Sequence, residues 1–153
     1  MTQVPPEIRP DGRQSETAAA LQRGVARLLR DRGMAALHEV TLASGRRADI
    51  MAVSPQGEIT IIEIKSSLAD FRADAKWQDY LDYCDRFFFA IPESLDPDIM
   101  PVAAGLIVGD RFGAEVLRDG CAQRLHATRR KMVLIDFARL AAFRLHTLYD
   151  PPV

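Results

Sequence analysis

The sequence is poor in cysteine and in long apolar runs, and each shortage excludes a class of protein. Only two cysteines, Cys84 and Cys121, occur in 153 residues. They lie far apart without metal-ligand spacing, so we expect reduced thiols rather than a disulfide framework or a zinc site. No apolar run approaches the roughly 20 residues that a membrane-spanning helix needs, and the polar start does not resemble a signal peptide. These features predict a cytoplasmic protein with no membrane partner.

The chain also lacks an excess of positive charge. Its net charge is −1 and its pI is near 6.3, whereas a protein that coats nucleic acid needs many cations to release counterions. Any nucleic-acid surface must therefore be local. The strongest local candidate is a basic cluster that leads into the last predicted helix, although such a charge run is more often a solvated face. Its members are Arg124, Arg129, Arg130 and Lys131.

Hydrophobic residues make up 48% of the chain, enough for one well-buried core. The proline-containing start, 1–12, is expected to be a flexible arm, and 13–150 a single domain. Helical spacing of apolar residues predicts helices over 14–32, 68–84 and 133–148. Strands are predicted over 36–42, 47–53, 59–65, 86–91, 105–108 and 114–117. This order predicts an α/β fold with a mixed central sheet flanked by helices.

Two of the predicted helices have an apolar face that should pack on the sheet. In the second helix this face comprises Ala69, Ala73, Trp77, Tyr80, Leu81 and Cys84. In the last helix it comprises Leu134, Ala138, Ala141, Leu145 and Leu148. In the first helix, Gly33 stands where a helix C-cap is expected.

The hairpin around the turn Ser54-Pro55-Gln56-Gly57 carries the most chemical information. Proline suits the first central position of a type I turn, and a following glycine suits the left-handed position of a three-residue loop. That loop sets Ser54 opposite Glu58 and, counting back, Asp49 opposite Glu63 and Arg47 opposite Lys65. A two-residue loop would shift the register by one and put Glu63 on the face opposite Asp49.

Two carboxylates that face each other on a sheet repel unless a cation lies between them. A hard divalent metal with oxygen ligands would reverse the sign of that interaction. The alternative is that Asp49, Glu63 and Lys65 form an exposed, charged end of the hairpin. Against it, Glu63 and Lys65 interrupt an isoleucine-rich strand, and a charge beneath covering helices needs a partner.

The pattern of Asp49, a hairpin turn and then Glu63-Ile64-Lys65 resembles the signature of the PD-(D/E)XK nuclease superfamily, with Ala48 where the motif's name has proline. More narrowly, four strings resemble the MmcB-like family of bacterial DNA repair proteins. They are RQSETA at 13–18, ADIMAV at 48–53, EIKSS at 63–67 and DYCDRFFFAIP at 82–92, and the likeness continues through GLIVGD at 105–110.

The resemblance implies a restriction-endonuclease-like fold and a role in DNA repair. Carried over to this chain, Asp49 and Glu63 would hold magnesium or manganese, with the carbonyl of Ile64 as a further ligand and Glu16 as another candidate ligand. Lys65 would sit beside the attacking water and the phosphate. Lys76 and Gln78 are auxiliary candidates, for which a solvated surface is the competing interpretation, and Arg47 is a candidate DNA contact.

Two functions are consistent with these residues. The first is a metal-dependent enzyme that hydrolyses DNA phosphodiester bonds in repair, and a nuclease acting on RNA is a more remote version of it. The second is a non-catalytic module that binds DNA or a repair partner through the same fold. Because the chain is small and carries no attached DNA-binding domain, choosing a substrate would require either a homodimer or another repair protein as partner.

Overall fold

The centre of the structure is a single mixed sheet of six strands in the order β1-β2-β3-β4-β5-β6. The computed structural model describes residues 15–120 and 122–153, so the expected arm at 1–12 and Cys121 lie outside the described residues. β3, β4 and β5 are parallel, and the other neighbours are antiparallel. The strands are β1 Ala35–Thr41, β2 Arg47–Val53, β3 Ile59–Ile64, β4 Arg86–Pro92, β5 Gly105–Gly109 and β6 Ala114–Arg118.

Helices cover both faces of this sheet. They are α1 Glu16–Asp31, α2 Leu68–Ala73 and α3 Ala127–Tyr149, with short 3-10 helices at Trp77–Tyr83 and Pro97–Ile99. Leu21, Val25 and Leu29 of α1 pack in a core on one face of the sheet. The 3-10 helix Trp77–Tyr83 and α3 close the core on the opposite face. The predicted α/β architecture, a mixed sheet flanked by helices, is confirmed at this level.

The chemistry of the termini of α1 explains where it starts and stops. The side chain of Ser15 accepts a hydrogen bond from the N–H of Ala18 at 3.1 Å, which satisfies one of the first-turn donors. Gly33 follows the helix with φ of 72°, the left-handed conformation that glycine adopts without steric cost. Both ends lie within two residues of the predicted helix, 14–32.

The turn between β2 and β3 has the predicted three-residue form. Gly57 has φ of 84°, and the N–H of Ser54 donates to the carbonyl of Glu58 at 2.9 Å. The pairing of Ile50 with Ile62 continues the same register along the two strands. The register expected from the turn is therefore confirmed as far as this pair, one residue short of Asp49.

The prediction of one continuous second helix is wrong. Instead of running over 68–84, the chain leaves the helix at Asp74, where φ is −98° and ψ is 89°, and resumes as the 3-10 helix at Trp77. The Asp74 carboxylate accepts from the N–H of Lys76 at 3.2 Å, so a side chain offers the backbone an alternative to the helical bond. Of the predicted buried face, Trp77, Tyr80 and Cys84 are buried, whereas Ala69, Ala73 and Leu81 are exposed.

The last helix begins earlier than predicted, at Ala127 rather than near Val133. Arg129, Arg130 and Lys131 therefore belong to its first turns instead of leading into it. Its predicted inner face is also partly wrong. Leu134 packs against the core, whereas Ala138, Leu145 and Leu148 are exposed.

A buried ion pair joins the start of α3 to the sheet. The Asp85 carboxylate accepts two bonds of 2.6 Å from the Arg130 guanidinium, and it also accepts from the N–H groups of Ile59 and Leu125. Burial alone would raise the pKa of Asp85, but the bonds from Arg130 and from the two N–H groups outweigh it and lower the pKa to about 2. Arg130 also donates to the carbonyl of Gly57 at 2.8 Å, so one guanidinium links α3, the turn and the edge of β4.

Replacing Asp85 by asparagine should destabilise the fold by about 3 kcal/mol, because it leaves a largely buried guanidinium without its charge partner. The depressed pKa means that this contribution is fully present above the ordinary value of 3.8 and is lost as the pH falls through about 2. Urea unfolding at neutral pH measures the effect. The exposed Asp82, changed to asparagine, is the matched control and should shift stability by less than about 0.5 kcal/mol. Equal effects of the two substitutions would contradict this account of the Asp85 ion pair.

Candidate metal centre

The backbone pairing of β2 with β3 ends one residue before Asp49. From there the two strands are joined by hydrogen bonds to carboxylates. The N–H of Asp49 donates to Glu63 Oε1 at 2.9 Å, and the N–H of Ile64 donates to Asp49 Oδ2 at 2.8 Å. Each acid therefore satisfies a donor near the end of the opposite strand. These reciprocal bonds hold the two carboxylates side by side at the end of the sheet where β3 terminates.

Both carboxyl groups lie largely out of water. Burial raises the pKa of Asp49 to about 6, although the N–H of Ile64 and the charge of Lys65 act in the opposite direction. Burial, followed by the negative charge of Asp49, raises the pKa of Glu63 to about 8. The pair is thus poised to hold a proton near neutral pH, and a divalent cation would relieve the same repulsion.

The donor atoms match the ligands that magnesium and manganese prefer. Within the described residues, no hydrogen bond reaches the second oxygen of either Asp49 or Glu63, so both oxygens are available as ligands. In an extended strand the N–H and C=O of one residue point to the same side. Since the N–H of Ile64 points to Asp49, its carbonyl faces the same acid. Two carboxylates and a carbonyl suit a hard cation that retains several waters.

Lys65 follows the acid pair directly and is itself buried, with only 8% of its side chain exposed. Its ammonium lies 3.0 Å from Asp74 Oδ2, and Arg46 Nη2 reaches the other oxygen of that carboxylate at 3.3 Å. Burial raises the pKa of Asp74, but the hydrogen bond and charge of Lys65 outweigh it and the net pKa is lowered. The interruption after α2 therefore puts a carboxylate where it orients the lysine.

A backbone irregularity in β1 lies beside Asp49. Glu39 has φ of 54°, uncommon for a side chain other than glycine, and the β1-β2 ladder skips from the His38–Ile50 pair to the Val40–Ala48 pair. Arg144 of α3 donates to the carbonyls of His38 and Glu39 and so holds this conformation. Residues held in such sparsely populated backbone conformations cluster at functional sites.

The Glu39 side chain forms an ion pair at the entrance of the same region. Arg47 Nε lies 2.6 Å from Glu39 Oε2, and 57% of the Arg47 side chain is exposed. The negative charge of Glu39 also contributes to the raised pKa of Asp49, after burial. Arg47 is therefore an exposed cation close to the acid pair.

The candidate metal ligand Glu16 and the auxiliary candidates Lys76 and Gln78 are not brought to the acid pair. Glu16 is exposed in the first turn of α1, and no group of three or more histidine, cysteine or acidic side chains arranged to hold a metal occurs within 15–120 and 122–153. The side chain of Lys76 is exposed. Its backbone accepts a hydrogen bond from Arg46 and donates one to Asp74. Gln78 is exposed on the 3-10 helix.

The basic cluster does not border the acid pair as a unit. Arg130 is held by Asp85 and by Gly57, which precede β4 and β3, so it lies at the opposite end of β3 from Lys65. That separation is about 20 Å at the usual rise of a strand. Arg124, Arg129 and Lys131 are exposed, and Arg129 lies over the Tyr83 ring at 4.8 Å. Only Arg47, of the predicted DNA contacts, is next to the acids.

Sequence reasoning missed three groups that surround the acid pair. Asp74 falls inside the helix predicted over 68–84, and no signal in the sequence marks the break that turns it toward Lys65. The strained Glu39 has no sequence signal either. Tyr80 was expected only as core, yet its hydroxyl donates to the Arg47 carbonyl at 3.0 Å and its ring lies 4.5 Å from the Arg46 guanidinium carbon.

Divalent metal binding should release protons. Because the pKa values of Asp49 and Glu63 are raised, the metal-free pair holds a proton at neutral pH that the cation must displace, so affinity should rise as the pH rises through about 6 to 8. Calorimetry with Mn²⁺ in buffers of different ionisation enthalpy should give a release of about one proton at pH 7, declining above pH 8. Glu63→Gln should abolish tight binding. A binding heat that does not depend on the buffer would contradict the proton displacement.

Within 15–120 and 122–153, no helix has the length and apolarity needed to span a bilayer. A search of curated proteins gives no match. Among solved structures, a protein of unknown function from Silicibacter pomeroyi is similar, with a TM-score of 0.86 and 44% identity over 90% of this chain and 94% of that chain. A family profile described as "DNA repair protein MmcB-like" matches residues 5–152. The chain therefore belongs to the MmcB-like family of DNA repair proteins.

Proposed function

We propose that this chain is a metal-dependent nuclease of the PD-(D/E)XK type, with a restriction-endonuclease-like fold, that hydrolyses DNA phosphodiester bonds during repair. One observation carries the proposal. The partly buried Asp49 and the buried Glu63 each accept a bond from an N–H of the other's strand, and the buried Lys65 follows Glu63 by two residues. Bringing two acids together out of water lowers the stability of the fold. Pairs of acids with raised pKa values of this kind cluster at functional sites.

Asp49, Glu63 and the carbonyl of Ile64 would hold Mg²⁺ or Mn²⁺. When bound, such a cation lowers the pKa of a coordinated water and neutralises charge on the phosphate oxygens. The surrounding sheet excludes water from one side of the acids, which strengthens electrostatic interactions there. The protein's own contribution is thus to hold two anionic ligands in a site that is partly shielded from water.

Lys65 would stabilise the negative charge that develops on the phosphate in the transition state. Its ammonium is already oriented by Asp74, and Arg46 shares that carboxylate, so the lysine is held without being left unpaired. A group held in place before the reaction loses little entropy when the substrate arrives. Asp74 is accordingly a positioning residue that acts through Lys65.

The alternative is a non-catalytic module that binds DNA or a repair partner. The observation that favours it is the same ion pair, since a Lys65 ammonium 3.0 Å from Asp74 is neutralised and directed at a protein carboxylate rather than into solvent. In this reading the acids hold a structural ion. The two functions differ in whether DNA is cut and in what Asp74→Asn does.

Cleavage assays separate the two functions. Purified protein is incubated with single-stranded, duplex, flapped and branched DNA, each with Mg²⁺, with Mn²⁺ and with chelator. We expect cleavage only with metal, its loss in Asp49→Asn and Glu63→Gln, and a fall of about two to three orders of magnitude in Lys65→Met with DNA binding retained. Glu115→Gln, an exposed acid on β6, is the control and should cut normally.

Loss of DNA binding in Lys65→Met as large as the loss of rate would mark Lys65 as a simple phosphate contact. Cleavage that survives chelator, or that survives Asp49→Asn, would refute the assigned site. In the enzyme, Asp74→Asn should lower the cleavage rate more than the affinity. Absence of cutting on every substrate, together with metal-independent DNA binding, would favour the binding module.

The salt dependence of DNA binding should identify which cations touch phosphate. Each neutralised phosphate adds about 0.9 to the logarithmic slope. Arg47→Ala should lower that slope by about 0.9, because this exposed cation is next to the acids. Lys131→Ala, in the first turns of α3, should leave it unchanged. Fluorescence anisotropy over a salt series measures the slope. A slope lowered by Lys131→Ala and not by Arg47→Ala would show that the basic cluster, rather than Arg47, contacts the DNA.

A further inference from the structure

Asp49 lies at a gap in the pairing of β2 with both of its neighbours. The ladder with β1 omits Glu39 and Asp49, which would otherwise face each other, and the ladder with β3 stops at Ile50. Among the strands that the structure describes, Asp49 is therefore the one residue of β2 without a ladder partner on either side. Both strands have the same number of residues across the gap on the β1 side. A turned peptide, rather than an inserted residue, therefore causes it.

Arg144 holds this turned peptide. Successive carbonyls of an extended strand point to opposite sides. Arg144 nevertheless donates to two successive carbonyls, from Nη1 to that of His38 at 2.5 Å and from Nη2 to that of Glu39 at 2.7 Å. The two carbonyls converge on one guanidinium because Glu39 is left-handed, with φ of 54°. The planar fork of arginine suits such a pair of acceptors, whereas the ammonium of lysine is a point charge.

Glu39 in turn holds the side chain of Arg47. Glu39 Oε2 lies 2.6 Å from Arg47 Nε, and the Tyr80 hydroxyl donates to the Arg47 carbonyl at 3.0 Å. Within the part of the chain that the structure describes, the Arg47 side chain has no other hydrogen bond or ion pair, so both of its terminal nitrogens are available. Two adjacent N–H groups of this kind bind a phosphate in bidentate fashion. Arg47 and Asp49 are alternate residues of β2 and share a face of the sheet.

We propose that Glu39 and Arg144 are positioning residues for Arg47, which they hold ready for a backbone phosphate of DNA beside the acid pair. The inference rests on the proposed function, because that function puts DNA at these acids. A free arginine side chain loses much rotamer freedom when it binds, and fixing it at Nε removes part of that cost before DNA arrives. Glu39 thus favours DNA binding although it is negatively charged, and Arg144 favours it without touching DNA.

The sign of the effect of Glu39 separates positioning from simple charge repulsion. Glu39→Asn removes the negative charge, tolerates the left-handed backbone and ends one carbon short of the glutamate carboxylate. Charge alone predicts tighter DNA binding, whereas positioning predicts weaker binding and a salt slope lowered by up to about 0.9. Fluorescence anisotropy with a labelled duplex measures both, with Ca²⁺ as a divalent cation for oxygen ligands. Glu58→Gln is the matched control that should not lower the slope, since Glu58 precedes β3 and also pairs with an Nε, that of Arg86 at 2.8 Å.

Arg144→Lys tests the backbone contact at unchanged net charge. It should lower the slope as Glu39→Asn does, and the double variant should fall no further. NMR of the DNA-free protein gives a second readout, in which the Arg47 Nε–H exchanges slowly with solvent in the wild type and in Glu58→Gln, and faster in Glu39→Asn and Arg144→Lys. Unchanged or tighter DNA binding by Glu39→Asn, or Nε–H exchange that neither substitution alters, would overturn the inference. A wild type that binds DNA without cutting it would refute only the nuclease activity.

Discussion

The mutual repulsion of two buried carboxylates is the constraint around which the candidate site is organised. Asp49 and Glu63 are held together by N–H donors from each other's strands, so the strands that create the repulsion also fix its geometry. An unpaired buried charge is costly, and burial is the main cause of the raised pKa of each acid. A proton or a cation relieves that cost, which makes the occupancy of the site a function of pH and metal.

The charges around the pair explain how a chain of net charge −1 could approach DNA. Lys65 and Arg46 are both engaged by Asp74, and the charge of Lys65 lowers the pKa of each central acid by less than burial raises it. Without a cation, this region would repel phosphate. With a divalent cation bound, the local electrostatic potential would become positive, and phosphate could bind there without a basic protein surface. Under the proposed function, metal binding and DNA affinity would be linked through the same two acids.

Much of the framework was predictable because it depends on local chemistry. Gly33 and the turn ending at Gly57 specify backbone conformations directly, and the turn in turn fixes the register that approaches Asp49. The break at Asp74 and the left-handed Glu39 were not predictable, because tertiary bonds to Lys65 and Arg144 hold them against local preference. The sequence thus indicated the acid pair, and only the folded chain supplied the groups that orient it.

The error in the inner face of α3 has a related cause. Helical periodicity reports that apolar residues share a face, but it does not say which of two apolar faces meets the chain's own sheet. Leu134 and Phe137 pack inward, whereas Ile135 and Leu145 point outward at a heptad spacing. The inner face also carries Arg144, whose bonds hold Glu39 beside Asp49. Through Arg144, the inner face of α3 therefore holds the strained residue that borders the acids.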